Sequence, residues 1–283
     1  MTDSDPSPTV RLRRLGQELR RLRENAKKTV QDAAAALECS QSKISRLENG
    51  LTKRPDVHHV RKLCEVYGVR NDTFVEALVD LAREARKRGW WAAYSDVLTG
   101  DYVGLEAAAS TIRNFELAVI PGLLQTPEYA AEIIRTAGVR EPREIERRVA
   151  ARVERQRLLL RDNPPQLWAV IDEAALHRPI GSRDIREAQL RKLMDTSPLQ
   201  HVKLQVLPFK AGPHAGLSGQ FVILDFPHAT DRSVVYIETP TDGLYLEEED
   251  QLKRYSLLFQ HVCASALSVD ASIAYLSNLI DKL

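Results

Sequence analysis

The stretch from Thr29 to Gly50 limits the possible folds of this chain more than any other. Thr29 is a suitable N-cap for a short Ala-rich helix over Val30–Leu37, whose small side chains allow a second helix to approach closely. Glu38 and Cys39 make a tight turn, and Ser40 caps a second helix, Gln41 to Glu48, which Asn49-Gly50 ends. In that second helix Ile44 and Leu47, three residues apart, face inward, while Gln41, Ser42, Lys43, Ser45 and Arg46 remain outside. Two short helices, a tight turn and a polar outer face on the second make helix-turn-helix geometry.

The chemistry of that outer face suits the major groove of DNA. A Gln amide can bond adenine N6 and N7, and an Arg guanidinium can fork onto guanine O6 and N7. Gln41, Ser42 and Arg46 are therefore the candidate base-contacting residues, flanked by Lys43 and Ser45. The donors of Thr52-Lys53-Arg54 after the helix are better placed for phosphates, which supply affinity and register but no sequence information. An amphipathic basic helix over Val10–Asn25 precedes the motif, and helices near Val57–Tyr67 and Thr73–Arg88 follow it. The expected domain is thus 10–80, behind a disordered leader at 1–9. Net charge supports the division. The whole chain carries +1, but residues 1–70 hold 15 Lys and Arg against 9 Asp and Glu, so the basic character sits at one end.

The run Ser-Gln-Ser-Lys-Ile-Ser-Arg-Leu-Glu-Asn-Gly from Ser40 to Gly50, with Thr52-Lys53-Arg54-Pro55 after it, resembles the recognition helix and its exit in the XRE family of helix-turn-helix regulators. The resemblance implies a five-helix, lambda-repressor-like domain. It implies base contacts from Gln41, Ser42 and Arg46, and phosphate or flanking contacts from Gln31, Ser40, Lys43, Ser45, Asn49, Lys53 and Arg54. It also implies a structural ion pair between Arg23 and Glu48. Two positions depart from the family pattern: Val30 replaces a usual glutamine, with Gln31 adjacent, and Glu38 stands at a turn position usually given to glycine.

Residues 81–283 are expected to form a larger helical and α+β domain. From Ala82 to Leu160 the pattern reads as helical, with Trp90, Trp91, Tyr94, Tyr102, Ile112 and Phe115 assigned to a core or dimer contact. The helix after Pro142 mixes Arg147, Arg148, Arg152, Arg155, Arg157 and Arg161 with Glu144, Glu146 and Glu154, which predicts a solvated face laced by i,i+4 pairs. Short β-type runs follow at Leu167–Ile171, Val202–Leu207, Phe221–Phe226, Val234–Glu238 and Leu244–Leu246. Helices are expected at Glu173–Leu176, Arg183–Asp195, Glu247–Ser265 and Val269–Leu283. The fold class is α+β, mostly helical, with a small sheet. The phrases VIPGLLQTPEYA, IDEAALHRPIG, QLRKLMD, LQVLPF and VVYIE are similar to a domain that follows XRE-type helix-turn-helix modules in WhiJ-like, antitoxin-like regulators of actinobacteria. That resemblance implies a small BldB-like partner protein.

Composition narrows the function classes. Hydrophobic residues at 43% and charged residues at 28% describe an ordinary folded protein. No apolar run nears the roughly 18 residues of a membrane span, and the acidic, Pro-containing start lacks a signal-peptide pattern, so a cytoplasmic, nucleoid-associated location is expected. Cys39, Cys64 and Cys263 show no metal-ligand spacing, and no cofactor or metal is expected. There is no GxGxxG, P-loop, HExxH or GxSxG run, so the chain reads as a non-enzyme. His177, His201, His214, His228 and His261 do not repeat at ligand spacings. The one hydrolytic alternative would bring His214 and Ser218 together with Asp172 or Glu173. The leading expectation is a homodimeric, sequence-specific regulator bound to double-stranded DNA, whose larger domain binds a small partner protein or ligand. An antitoxin-like protein that sequesters a small partner, with DNA binding for autoregulation, is the alternative.

Overall fold

The computed structural model describes residues 8–52, 54–86, 89–98, 101–227, 231–239 and 243–283, and it divides into two compact units, the first ending at Ala93 and the second starting at Tyr94. In the first unit, apolar residues at helical spacing build a bundle of α1 (Pro8–Asn25), α2 (Val30–Ala36), α3 (Gln41–Glu48), α4 (Val57–Val66) and α5 (Asp72–Glu84). Leu15 and Leu19 of α1, Ala33 of α2, Ile44 and Leu47 of α3, Val60 and Leu63 of α4 and Leu78 of α5 share one core. α1 starts two residues earlier than the periodicity predicts. Proline suits the first turn of a helix, where its missing N–H would be unpaired anyway, so Pro8 and Thr9 belong to the helix rather than to a leader. α5 stops at Glu84, short of the expected Arg88, because its buried stripe of Leu78, Val79, Ala82 and Ala85 ends there.

Side-chain and backbone caps set the short helices. Thr29 Oγ1 accepts from Asp32 N at 3.1 Å while Asp32 Oδ2 accepts from Thr29 N at 2.8 Å, a reciprocal capping box. Ser40 Oγ accepts from Lys43 N at 3.3 Å and starts α3. Glu38 occupies the left-handed region at φ 49°, and Cys39 N donates to Ala34 O at 2.9 Å to close the turn. A side chain in that region costs about 1 kcal/mol relative to glycine, which the fold tolerates at this corner. At the far end of α3, Gly50 takes φ 70° and Leu51 N donates to Arg46 O at 2.8 Å.

The second unit is built on a six-stranded sheet in the order β3-β2-β1-β4-β5-β6. The strands are β1 (Thr111–Glu116), β2 (Gln166–Asp172), β3 (Val202–Leu207), β4 (Phe221–Asp225), β5 (Val234–Glu238) and β6 (Gly243–Leu246). β1, β2 and β3 run parallel, and β4 to β6 continue as an antiparallel meander. β1 corrects the helical reading of Ala82–Leu160, since Ile112 and Phe115 lie on a central strand. Pairing on both sides, with β2 and with β4, overrides the helical context of its flanks.

The helices of this unit are α6 (Tyr102–Ala108), α7 (Pro127–Thr136), α8 (Pro142–Gln156), α9 (Glu173–His177), α10 (Arg183–Thr196), α11 (Glu249–Ser265) and α12 (Val269–Ile280). Phe259 and Val262 of α11 cover one sheet face, packing with Phe115, Val170, Phe221, Ile223 and Val235. Ser272 of α12 accepts from Val206 N at 2.9 Å, which occupies a backbone donor of the β3 edge. Among the described residues no single helix is long and apolar enough to cross a membrane.

One close approach in the first unit is readily tested. A Cβ on Gly16 would stand 2.5 Å from Glu48 O and 2.7 Å from Leu47 O, so α1 and the end of α3 meet backbone to backbone there. Gly16→Ala should force the helices apart and lower stability by about 2 kcal/mol despite alanine's better helix propensity. Thermal denaturation followed by circular dichroism reads the change, and an unchanged or raised midpoint would refute the tight contact.

Candidate functional site

The outer surface of α3 is polar, exposed and unengaged. Gln41, Ser42, Lys43 and Arg46 are exposed, Ser45 is half-buried, and Ile44 and Leu47 hold the opposite side in the core. Several surface cations elsewhere in this unit are matched by acids: Arg20 with Glu24, Arg21 with Glu18, Arg61 with Glu76, Lys62 with Glu65 and Arg83 with Asp80. Among the described residues no such partner holds Lys43, Arg46 or Arg54, so these cations are free for an external anion. Gln31, Ser40, Asn49 and Arg54 are exposed around the helix, with Ser40 Oγ already serving as the cap of α3. Lys53 lies outside the described residues.

What orients α3 is a buried charge pair. Arg23 Nε donates to Glu48 Oε1 at 2.7 Å and Nη2 donates to Oε2 at 3.0 Å, a two-pronged geometry that fixes both planes. Its Nη1 donates to Lys28 O at 2.9 Å, so one guanidinium ties α1, the turn after it and the last turn of α3. With side chains only 11% and 4% exposed, neither group has much water to fall back on. Arg23→Met should therefore strand Glu48 and cost about 3 kcal/mol, whereas Arg23→Met with Glu48→Met should recover much of the loss. Urea titration of the single and double variants checks this, and equal losses would refute the pairing argument.

His214 and Asp172 do come together. His214 Nδ1 accepts from Gly216 N at 3.2 Å, which leaves the proton on Nε2, facing Asp172 Oδ2 at 3.4 Å. Asp172 Oδ1 in turn accepts from Ala174 N as the cap of α9. Nδ1 is thus engaged and Nε2 lies beside the carboxylate, the side chains are 6% and 10% exposed, and Ser218 sits exposed in the following loop. This arrangement ties the loop to the sheet. His177 faces Tyr275 and Glu173, His201 Nε2 meets Leu159 O, and His228 lies outside the described residues. Among the described residues no group of His, Cys, Asp and Glu is placed to hold a metal ion.

The sequence reading missed a cavity of about 310 Å³ in the second unit, between the β1-β4-β5 face and α6, α7 and α8. Its walls carry Asn114 and Glu116 of β1, Tyr236 and Glu238 of β5, and Arg148, Arg152 and Arg155 of α8. Asn114, Val222 and Tyr236 form one rung across three strands, and Tyr236 packs on Tyr102 of α6 with ring centroids 4.2 Å apart. The expectation of a solvated α8 holds for Arg148, paired with Glu144, but not for Arg152 and Arg155, which turn inward. Arg155 Nη2 donates to the buried Glu106 Oε1 at 3.1 Å, and Tyr102 Oη donates to the same oxygen at 2.9 Å. Spacing supplied a signal: Arg148, Arg152 and Arg155 recur at 4 and 3 along one helical face, as Leu residues would in a core.

Burial shifts two groups here. It pushes Arg152 down to about 10, helped by neighbouring Arg155 and opposed by Glu238, Glu116 and Glu106. It pushes Glu116 up to about 7, helped by Glu238 and opposed by Asn114, Arg155 and Arg152. Because the Glu116 value rises on folding from the ordinary 4.5, ionising this carboxyl opposes the folded state. Its contribution is intact below the ordinary value and is lost as pH climbs through about 7. Glu116→Gln should therefore gain stability relative to wild type between about pH 5 and pH 8, measured by thermal denaturation; a constant difference across that window would contradict the shift.

Residues 99–278 match the family described as a domain of unknown function (DUF5753), and residues 14–78 match a helix-turn-helix domain. No curated protein and no solved structure matches the chain.

Proposed function

The chain belongs to the family of the domain of unknown function DUF5753, and we propose that it is a sequence-specific DNA-binding transcription regulator acting as a homodimer. The observation that carries this reading is the outer face of α3, whose Gln41, Ser42, Lys43 and Arg46 are exposed without a side-chain partner among the described residues, on a helix held from behind by the Arg23–Glu48 pair. The helix-turn-helix match over residues 14–78 supports DNA binding. Gln41, Ser42 and Arg46 read base edges, while Gln31, Ser40, Lys43, Ser45, Asn49, Lys53 and Arg54 serve the flanks and phosphates. Two copies would set two α3 helices on half-sites roughly 34 Å apart, about one turn of DNA.

The finer identity, an XRE-type, WhiJ-like regulator of actinobacterial kind, rests on the wording of Ser40–Pro55 and of the second unit. The second unit takes the signal, a small partner protein or a ligand, and on this reading is not an enzyme; His214 Nδ1 already accepts from Gly216 N and its Nε2 faces Asp172 Oδ2. A cytoplasmic setting goes with that role.

The test is fluorescence anisotropy with DNA from upstream of the gene and with a scrambled duplex, at two salt concentrations. Wild type should prefer the upstream DNA. Gln41→Ala with Arg46→Ala should lose roughly tenfold to a hundredfold of that preference while keeping weak, salt-sensitive binding. A double variant that retains the full preference would overturn the assignment of α3.

A further inference from the structure

The cavity of the second unit leaves groups on opposite walls without the partners their chemistry calls for. Arg152 Nη1 donates to the neutral Gln125 Oε1 at 2.6 Å, and among the described residues no carboxylate stands within ion-pair distance of it. The arginines beside it on α8 are already taken, Arg148 by Glu144 and Arg155 by Glu106. On the facing wall, Asn114 is 6% exposed, yet among the described residues its Oδ1 accepts no hydrogen bond. Glu116, two residues further along the same side of β1, likewise has no cation within ion-pair distance among the described residues.

These needs are opposite in sign. A guanidinium with a neutral partner and little water calls for an anion, and an unpaired amide oxygen beside a carboxylate calls for a cationic N–H donor. Arg152 and Glu116 line the same space without pairing with each other, so room for a molecule remains between them. Ile133 and Ile134 of α7 and Val222 of β4 supply an apolar stretch of the wall, beside the polar Gln220, Tyr236 and a second carboxylate, Glu238. A volume of about 310 Å³ accommodates a small metabolite.

We propose that this cavity binds a small zwitterion of the α-amino-acid type, its carboxylate on Arg152, its ammonium on Asn114 Oδ1 and Glu116, and an apolar side chain against Ile133, Ile134 and Val222. The inference rests on the reading of the second unit as the part that takes a signal, and it chooses a ligand over a partner protein. It makes Arg152 and Glu116 a matched pair of selectivity groups. An analogue lacking either charge leaves one of them buried and unpaired, which is how polar sites reject near-isosteres.

The test is isothermal titration of the full chain with L-leucine and L-phenylalanine. Their deaminated counterparts, isocaproate and hydrocinnamate, and their decarboxylated counterparts, isoamylamine and phenethylamine, are titrated alongside. DNA preference is measured on the same preparation. At least one amino acid should bind saturably and at least roughly tenfold more tightly than both of its one-charge counterparts. Arg152→Met should abolish that binding, and the isosteric Glu116→Gln should narrow the gap between the amino acid and its acid. If Arg152→Met does not fold, the Glu116→Gln result decides. An acid that binds wild type as well as the amino acid does would overturn the proposal, as would an unchanged gap in Glu116→Gln. Failure of both amino acids on a chain that still prefers its upstream DNA would sink the zwitterion site and leave the regulator reading standing. Amino-acid binding without any DNA preference would do the reverse.

Discussion

The buried pair of Arg23 with Glu48 is the constraint on which the first unit's surface depends. A short helix such as α3, of eight residues, has little stability of its own and takes its direction from what it packs against. Ile44 and Leu47 supply adhesion but little orientation, because apolar contact is non-directional. The two-pronged guanidinium–carboxylate contact supplies the direction, and Gly16 allows the α1 backbone close enough for it to form. With its inner side fixed in this way, α3 can leave Gln41, Ser42, Lys43 and Arg46 without partners among the described residues at no cost, since water solvates them until an external surface arrives.

Arginine plays a different part in the second unit. Arg155, held by Glu106 and lying near Tyr102, is a structural cation: burial works against it, but Glu106, Tyr102 and Glu238 together outweigh burial, and its guanidinium is held more firmly charged than usual. Arg152, one turn earlier, faces a neutral amide and is pulled the other way. The same residue type on the same helix thus has opposite electrostatic standing, set by whether a carboxylate lies opposite. That difference separates a group that holds the fold together from one that is available for binding.

Legibility followed the range of the interactions. Helix limits set by caps, such as Ser40 and Asn49 around α3 or Ser182 before α10, lie within a few residues of chain and stood at or near their expected places. The strands from Val202 and Val234 did so as well, since β-branched runs between turn residues carry a local signal. β1 did not, because Thr-Ile-Arg-Asn-Phe-Glu is ambiguous alone and becomes a strand through β2 and β4, more than 40 residues away in the chain. The inward turn of Arg152 escaped for the same reason: the acids Glu144, Glu146 and Glu154 interspersed along α8 suggest a solvated face, and only Gln125 and the sheet beyond show otherwise.

The sequence by itself determined the helix-turn-helix pattern of the first unit, its caps, its basic balance and the α+β class of the second, all products of local periodicity and short-range hydrogen bonding. The tertiary structure alone decided which charges are paired, how closely α1 approaches α3, that β1 lies in the middle of the sheet, and that a cavity opens between β1 and α8. Those properties depend on residues brought together across the chain, where burial and distance, rather than residue type, set the energy of a charge.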